Sequence, residues 1–505
     1  MAQRGSISTL SRPLIDFKVV FGILGSFIFF MGFAFLLPLI IDLIYVEHHW
    51  DSWLISSGIA FAVGGGLWYF FKPKEEARIR EGFMVVSLTW LLLSLVGALP
   101  FIIAKVLPHY TDAVFETMSG LTTTGSTIMG GITSNGFANP MIEELPKSFL
   151  FWRSFSHWLG GMGIIVLSLA ILPLLGIGGM QLFQAESPGP TADKLTPRVQ
   201  ETAKLLWVVY VALTGLEFVL LWIHPAMDWF EALNHAFATL ATGGFSTKNA
   251  NIAAFDSAYI DIIIAIFMFL AGINFAMHFR LLNGDSKTFF SNRETRFYAL
   301  ITLIGILGIS FSLWHFDGRS LLEALRYGSF QVVAIITSTG FGTDDYELWY
   351  SFGAFILFLL FFTGGSAGST SGGIKMIRWM ILIRNTGREI KQIIHPKAIL
   401  PVRIGEQAID ANIQRTVLSF FILYLFIFAI GAFAISLFGY DLLSSVGASI
   451  SALGNIGPGW GDFGPTDSFA QLPFLAKWVL ILLMMIGRLE IITVLIIFSP
   501  SFWKQ

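Results

Sequence analysis

Long apolar stretches recur along the chain, each near the ~20 residues that cross ~30 Å of hydrocarbon. They fall at about 17–46, 54–71, 82–106, 149–175, 202–223, 258–280, 295–315, 348–380, 412–439 and 470–499. This pattern predicts ten membrane crossings, with both termini on one side. Four of the polar intervals do not read as plain loops. DAVFETMSGLTTTGST (112–127), FEALNHAFATLATGGFST (230–247), LEALRYGSFQVVAIITSTGFGT (322–343) and DLLSSVGASISALGNIGPG (441–459) are half-apolar and end in Thr, Ser or Asn with Gly. Aligned on Gly125, Gly243, Gly340 and Gly457, they recur roughly every hundred residues between paired apolar runs.

A half-helix of about ten residues cannot span; it must dip in, stop and return as extended chain. Irregular backbone at membrane depth is tolerated only where protein buries it or where it lines a wet cavity. Asp112, Asp228 and Asp441 start three of these half-helices as N-caps and dipole partners should, and Glu323 lies near the start of the other. Each half-helix then points its partly negative C-terminal end at the membrane centre. Four such ends around one axis form a cation site, with carbonyls of the following loops replacing an ion's water shell. The fourth copy departs, with Asn455-Ile456-Gly457-Pro458 in place of a Thr-Gly pair, so fourfold symmetry is only approximate. The fold class expected is an all-α polytopic membrane protein. It has four fused helix–pore half-helix–helix repeats around one pore, at 76–180, 181–290, 291–405 and 406–505, preceded by a helix pair at 1–75.

Composition narrows the class. Of 505 residues, 55% are hydrophobic and 13% charged, against roughly 25% charged in soluble domains. That excludes a water-soluble enzyme, a nucleic-acid binder and a disordered chain, and makes membrane lipid the main solvent. With no Cys there is no disulfide, thiolate metal site or Cys nucleophile, and a net charge of −2 says little about partners. The 31 Lys and Arg are not evenly spread. Arg4, Arg12 and Lys18, then Lys72, Lys74, Arg78 and Arg80, then Lys194, Arg198 and Lys204 fall in intervals on one side. So do Arg280, Lys287, Arg293, Arg296 and the basic 375–415 segment. By the positive-inside rule both termini are cytoplasmic.

The eighth run breaks at Thr363, Gly364, Gly365, Ser366, Ala367, Gly368, Ser369, Thr370, Ser371, Gly372 and Gly373. So glycine-rich a stretch is not a stable helix, and it reads either as a packing kink or as a mobile constriction below the half-helix ends. Gly364 to Gly368 also match G-x-S-x-G, but a hydrolase needs a strand–turn–helix setting, and the flanks here read as helix; the chain is not expected to be an enzyme. Arg488 reads as lying near the middle of the last run, where a charge must be paired or hydrated. Its partner is Glu490, which is poorly placed two residues away, Glu217, or the cavity beside the Gly-rich loop. Arg153 begins the fourth run near the outer surface, where it can snorkel. Asn274, His278 and Lys375 are candidates to line the inner pathway. Glu116 and Gln331, on the half-helices, are candidates to satisfy backbone behind the loops.

On these features, together with FWRSFSHWLGGMGIIVLSLAILP (151–173), AESPGPTADKLTPRVQETAK (185–204) and the leading helix pair, the chain resembles the bacterial Trk/Ktr/HKT superfamily of potassium transporters. The resemblance covers nearly the whole chain and implies a fold like four fused subunits of a simple potassium channel. It implies ion-facing carbonyls on the two residues before each glycine: Thr123 and Thr124, Ala241 and Thr242, Ser338 and Thr339, Asn455 and Ile456. Glycine at all four aligned positions is the family pattern associated with preference for potassium over sodium. K+ would be the transported ion, with no organic cofactor on this chain. The 363–373 loop and Arg488 would gate the pore from the cytoplasmic side. The resemblance further implies a homodimer in the bacterial inner membrane, docked on a ring of cytosolic TrkA-like nucleotide-binding subunits. A proton- or sodium-coupled potassium symporter is the alternative; carriers usually show inverted repeats and midplane carboxylates, whereas these repeats share one orientation.

Overall fold

The computed structural model describes residues 14–72, 77–163, 199–398, 400–405 and 407–504. Arg4, Arg12, Lys74, Lys194 and Arg198, the end of the 149–175 run and most of the 185–204 motif lie outside these residues. The described chain is helical apart from a two-strand hairpin pairing Arg403 with Ala408 and Ile404 with Gln407. Among the described residues six helices are long and apolar enough to cross a membrane, or eight if each of two bent pairs is one span.

Helices α1 (Phe17–Ala34), α2 (Leu36–Tyr45) and α3 (Trp50–Phe70) form the leading pair, with α1 packed along α3. Next come α4 (Ile79–Gly97), α5 (Leu99–Ile103), the half-helix α6 (Tyr110–Leu121) and α7 (Lys147–Met162). The span α8 (Val199–Trp222) leads to the half-helix α9 (Trp229–Leu240) and to α10 (Ala258–Ala271), which bends by 101° into α11 (Phe275–Leu282). A short α12 (Ser286–Ser291) precedes the span α13 (Arg293–His315), the half-helix α14 (Leu321–Ile336) and α15 (Ser351–Leu360). After the Gly-rich loop come α16 (Met376–Ile394), the span α17 (Ala411–Ser436) and the half-helix α18 (Leu442–Gly454). Then α19 (Phe474–Arg488) bends by 118° into α20 (Ile492–Phe498), and α21 (Pro500–Trp503) ends the chain.

Each half-helix packs on the helix before it and the helix after it, as α6 does on α4 and α7. The units also touch around a circle: α9 packs on α7, α14 on α10, and α6 on α19. The remaining junction is made by side chains, where Tyr346 lies against Trp460 with ring centroids 4.8 Å apart and donates its hydroxyl to the Gly459 carbonyl at 2.6 Å. Burial is arranged for lipid. Large apolar side chains such as Phe30, Leu43, Phe426 and Phe433 face outward, while Thr122–Thr124, Thr337–Thr339 and Asn455 are buried at the centre.

Three of the expected starts hold. Asp228 and Asp441 cap α9 and α18, accepting the N–H groups of Glu231 at 2.7 Å and Ser444 at 2.8 Å. Glu323 is the acid of a capping box with Ser320 at the start of α14. Asp112 is different, because α6 begins earlier, after His109. Asp112 is instead buried in the first turn and pairs with Lys477 of α19 at 2.5 Å, tying the end of the circle to its beginning.

Candidate functional site

The four half-helix C-termini converge, and the backbone after each repeats one conformation. A left-handed residue comes first: Thr123 (φ 51°), Thr242 (φ 55°), Ser338 (φ 56°) and Asn455 (φ 53°). The following N–H turns back to the half-helix: Thr124 to Ser119, Gly243 to Ala238 and Thr339 to Ala334 at 2.8 Å, and Ile456 to Ser451 at 3.0 Å. A glycine with positive φ completes the unit: Gly125, Gly244, Gly340 and Gly457. The second copy is therefore shifted by one residue from the sequence alignment. Gly244, not Gly243, is equivalent to Gly125, and Thr242–Gly243, not Ala241–Thr242, is equivalent to Thr123–Thr124. Ala241 is the right-handed C-cap of α9. The Ala-Thr-Gly-Gly run allows either glycine to match a Thr-Gly pair, and only the left-handed φ of Gly244 separates them. A usable signal was the Gly-Phe pair that Gly244-Phe245 shares with Gly340-Phe341.

With that register the four loops close on one another. A Cβ on Gly125 would lie 2.2 Å from the Gly243 carbonyl oxygen, one on Gly244 2.0 Å from that of Thr339, one on Gly340 1.7 Å from that of Ile456, and one on Gly457 2.8 Å from that of Thr124. Each glycine thus abuts the carbonyl of the next copy, and the fourth returns to the first. Any side chain at these positions would meet backbone as well as left-handed strain. Outside the ring lies a cavity of about 400 Å³ bounded by Gly125, Gly244, Gly340 and Gly457 together with Lys248, Asp462 and Asp467. Burial raises the carboxyl pKa values of Asp467, which lines it, and of Glu347 just behind, and repulsion from Asp345 and Asp462 adds to both.

Inside the ring lies the Gly-rich loop, held on every side. Gly372 donates its N–H to Ser338 Oγ, and Thr370 donates its hydroxyl to the Leu240 carbonyl at the end of α9 at 2.9 Å. The 101° bend between α10 and α11 frees backbone for it: Ser366 N–H reaches the Gly272 carbonyl at 2.8 Å, and Phe275 N–H reaches that of Gly368 at 3.0 Å. Glu294 accepts from both limbs, from Ala367 N–H at 2.7 Å and Ile377 N–H at 3.1 Å. Sequence reasoning missed this residue, since an acid in the first turn of a span reads as a dipole partner.

Arg488 stands at the C-terminal end of α19, at the break in the middle of the bent pair α19–α20. Left-handed Glu490 and Ile491 carry the bend. Its guanidinium donates to the Thr370 carbonyl at 2.7 Å and to those of Gly160 and Gly161 at 3.1 and 3.2 Å. Glu490 turns the other way, to an ion pair with Arg378. Of the remaining candidates, Asn274 caps α11 beside Gly368, and Lys375 donates to the Ser371 carbonyl. His278 is spent on the Leu270 carbonyl at 2.9 Å.

Arg153 does not snorkel. It is 2% exposed and binds Glu116 at 2.7 Å. Among the described residues no group of three His, Cys, Asp or Glu could hold a metal ion.

The family described as "TrkH: Cation transport protein" matches residues 51–505. The Trk system potassium uptake protein TrkH of Escherichia coli (strain K12) is 41% identical over 497 residues, covering 97% of this chain and 100% of its own. TrkG of the same organism is 35% identical over 492 residues, covering 97% and 99%. The crystal structure of the potassium transporter TrkH from Vibrio parahaemolyticus superposes with a TM-score of 0.86 at 35% identity, over 97% of this chain and 100% of that one.

Proposed function

The chain belongs to the TrkH family of cation transport proteins, and we propose that it is a potassium uptake subunit passing K+ through one central pore. The observation that carries this reading is the closed circuit in which four glycines each abut the next copy's carbonyl. Carbonyls at Thr123 and Thr124, Thr242 and Gly243, Ser338 and Thr339, Asn455 and Ile456 would replace the ion's hydration shell. The partly negative ends of α6, α9, α14 and α18 favour a cation there. The division into a leading pair and four repeats follows the same circuit.

The loop 363–373 is the gate in this reading. It sits directly against Ser338 and the end of α9, and the Arg488 charge bonded to Thr370 raises the barrier to a cation. Opening must withdraw Thr370 and Gly372 from the axis. Glu294 and the α10–α11 bend are the contacts that such a movement strains. The protein lies in the bacterial inner membrane with both termini cytoplasmic, works as a homodimer, and takes its nucleotide control from a TrkA-like ring. The basic segment 375–415 offers that partner a cationic face.

Purified protein in liposomes should pass K+ down its own gradient with no proton gradient imposed, and should prefer K+ to Na+. Uptake that appears only with an imposed proton or sodium gradient would show coupled symport instead.

A further inference from the structure

The corrected register aligns more than the glycines. Nine residues before each ring glycine stand Glu116, His235, Gln331 and Ala448; two residues after stand Thr127, Ser246, Gly342 and Gly459. In the first two copies these positions are joined. Glu116 accepts the Thr127 hydroxyl at 2.9 Å and the Ile128 N–H at 3.0 Å, and His235 Nε2 meets Ser246 Oγ at 3.0 Å. Thr127 Oγ1 and Ser246 Oγ then accept the N–H two residues on, from Met129 and Lys248, each at 3.1 Å. In the third copy the partner is glycine, and both polar atoms of fully buried Gln331 are left without a hydrogen bond. In the fourth, the two positions are Ala448 and Gly459, which carry no side-chain hydrogen-bonding group.

Arg153 of α7 bridges the two strapped copies. Beyond its pair with Glu116, it donates to the Ser246 carbonyl at 3.0 Å and stacks its guanidinium on Phe245 at 4.1 Å. One turn on, His157 continues the bridge, with Nδ1 on the Gly120 carbonyl at 2.8 Å and Nε2 accepting from Phe245 N–H at 3.3 Å. Phe245 and Ser246 directly follow Gly244, and Glu116 grips the strand that follows Gly125. The guanidinium therefore fixes the distance between two neighbouring members of the ring.

We infer that Arg153 and Glu116 are positioning residues for ion selection, bracing the Gly125 and Gly244 strands so that their carbonyls keep the spacing that discriminates cations. This rests on the pore reading above. The brace is one-sided: among the described residues the strap from nine before the glycine to two after it is made only in the first two copies, and the Gly457 strand is held differently, by the Tyr346 hydroxyl on the Gly459 carbonyl and the Ser126 hydroxyl on the Gly457 carbonyl.

The test is the K+/Na+ permeability ratio in liposomes, measured beside yield and thermal stability. Wild type sets the reference; a wild-type protein without K+ preference would defeat the pore reading itself, whatever the variants do. In Glu116→Gln/Arg153→Gln, which removes both charges, the ratio should fall by roughly five- to tenfold, the lower end of ordinary site-to-site couplings. If that double variant does not fold, Arg153→Lys decides. It keeps a cation beside Glu116 but cannot also span to Ser246, and its ratio should fall in the same direction. Gln331→Leu, on the unstrapped side, should leave the ratio at wild type. Variants of Arg153 that lose stability yet keep the wild-type ratio would overturn the proposal, as would an equal loss of selectivity in Gln331→Leu.

Discussion

Gly243 and Gly244 are adjacent, yet a side chain at each meets a different obstacle. A Cβ on Gly243 would lie 2.4 Å from the His157 ring, and one on Gly244 would lie 2.0 Å from the Thr339 carbonyl. The first obstacle is a side chain that mutation can remove; the second is backbone of the neighbouring copy. Thr124, Thr339 and Ile456 occupy the position of Gly243 in the other copies, so a side chain is compatible with it. Gly243→Ala should therefore lose most K+ flux in liposomes, and adding His157→Ala should recover a substantial part of it. Gly244→Ala should abolish selective flux and gain nothing from His157→Ala. Equal rescue of both would undo the register assigned here. The half-helices and the glycines Gly125, Gly340 and Gly457 were legible because apolar runs of half the spanning length, each closed by a single glycine between paired spans, leave few alternatives. The fourth was not, because two adjacent glycines look alike as letters and differ only in φ.

Among the elements, the two bent pairs matter more than the straight spans. The α10–α11 bend turns carbonyl and N–H groups toward the Gly-rich loop, and the α19–α20 bend delivers Arg488 to Thr370 from the opposite side. Sequence pattern located the loop, since dense glycine inside an apolar run is unmistakable. It did not locate the bends, because the polar residues there, Asn274 at one and Arg488 and Glu490 at the other, read as side chains lining a pathway or paired within a span and not as a change of backbone direction. Arg488→Ala should raise K+ or Rb+ flux in the absence of any partner by about tenfold, because one unit charge beside a confined ion path is worth on the order of 1–2 kcal/mol. Glu294→Ala should act in the same direction through a different cause, freeing both limbs of the loop while leaving the charge in place. A flux assay on the purified variants with matched protein density checks both. Unchanged flux in Arg488→Ala with normal incorporation would remove the residue from the gate.

For the molecule as a whole, the carboxylates at the outer cavity should link proton concentration to stability and, in the pore reading, to permeation. Asp467 lines the cavity, and Glu347 lies just behind it, accepting the Gly461 N–H at 2.6 Å. Burial first, and then the neighbouring aspartates, raise both carboxyl pKa values above those of free side chains. The folded chain therefore holds protons that the unfolded chain releases. The contribution to stability is complete below the ordinary carboxylate range and is lost as pH rises through the raised values. Flux should respond with the opposite sign. Protonating these groups removes negative charge from the entrance and lowers the local cation concentration, so inward K+ flux should decline as external pH falls, beginning above the ordinary carboxylate range. Raising salt should flatten the effect, because it screens charges in a wet vestibule. Glu347→Gln/Asp467→Asn should show low flux at every pH and a slope near zero, read as inward Rb+ flux against external pH at fixed internal pH. A slope that persists in the double variant would place the titrating group elsewhere, on Asp345 or Asp462 or within the pore.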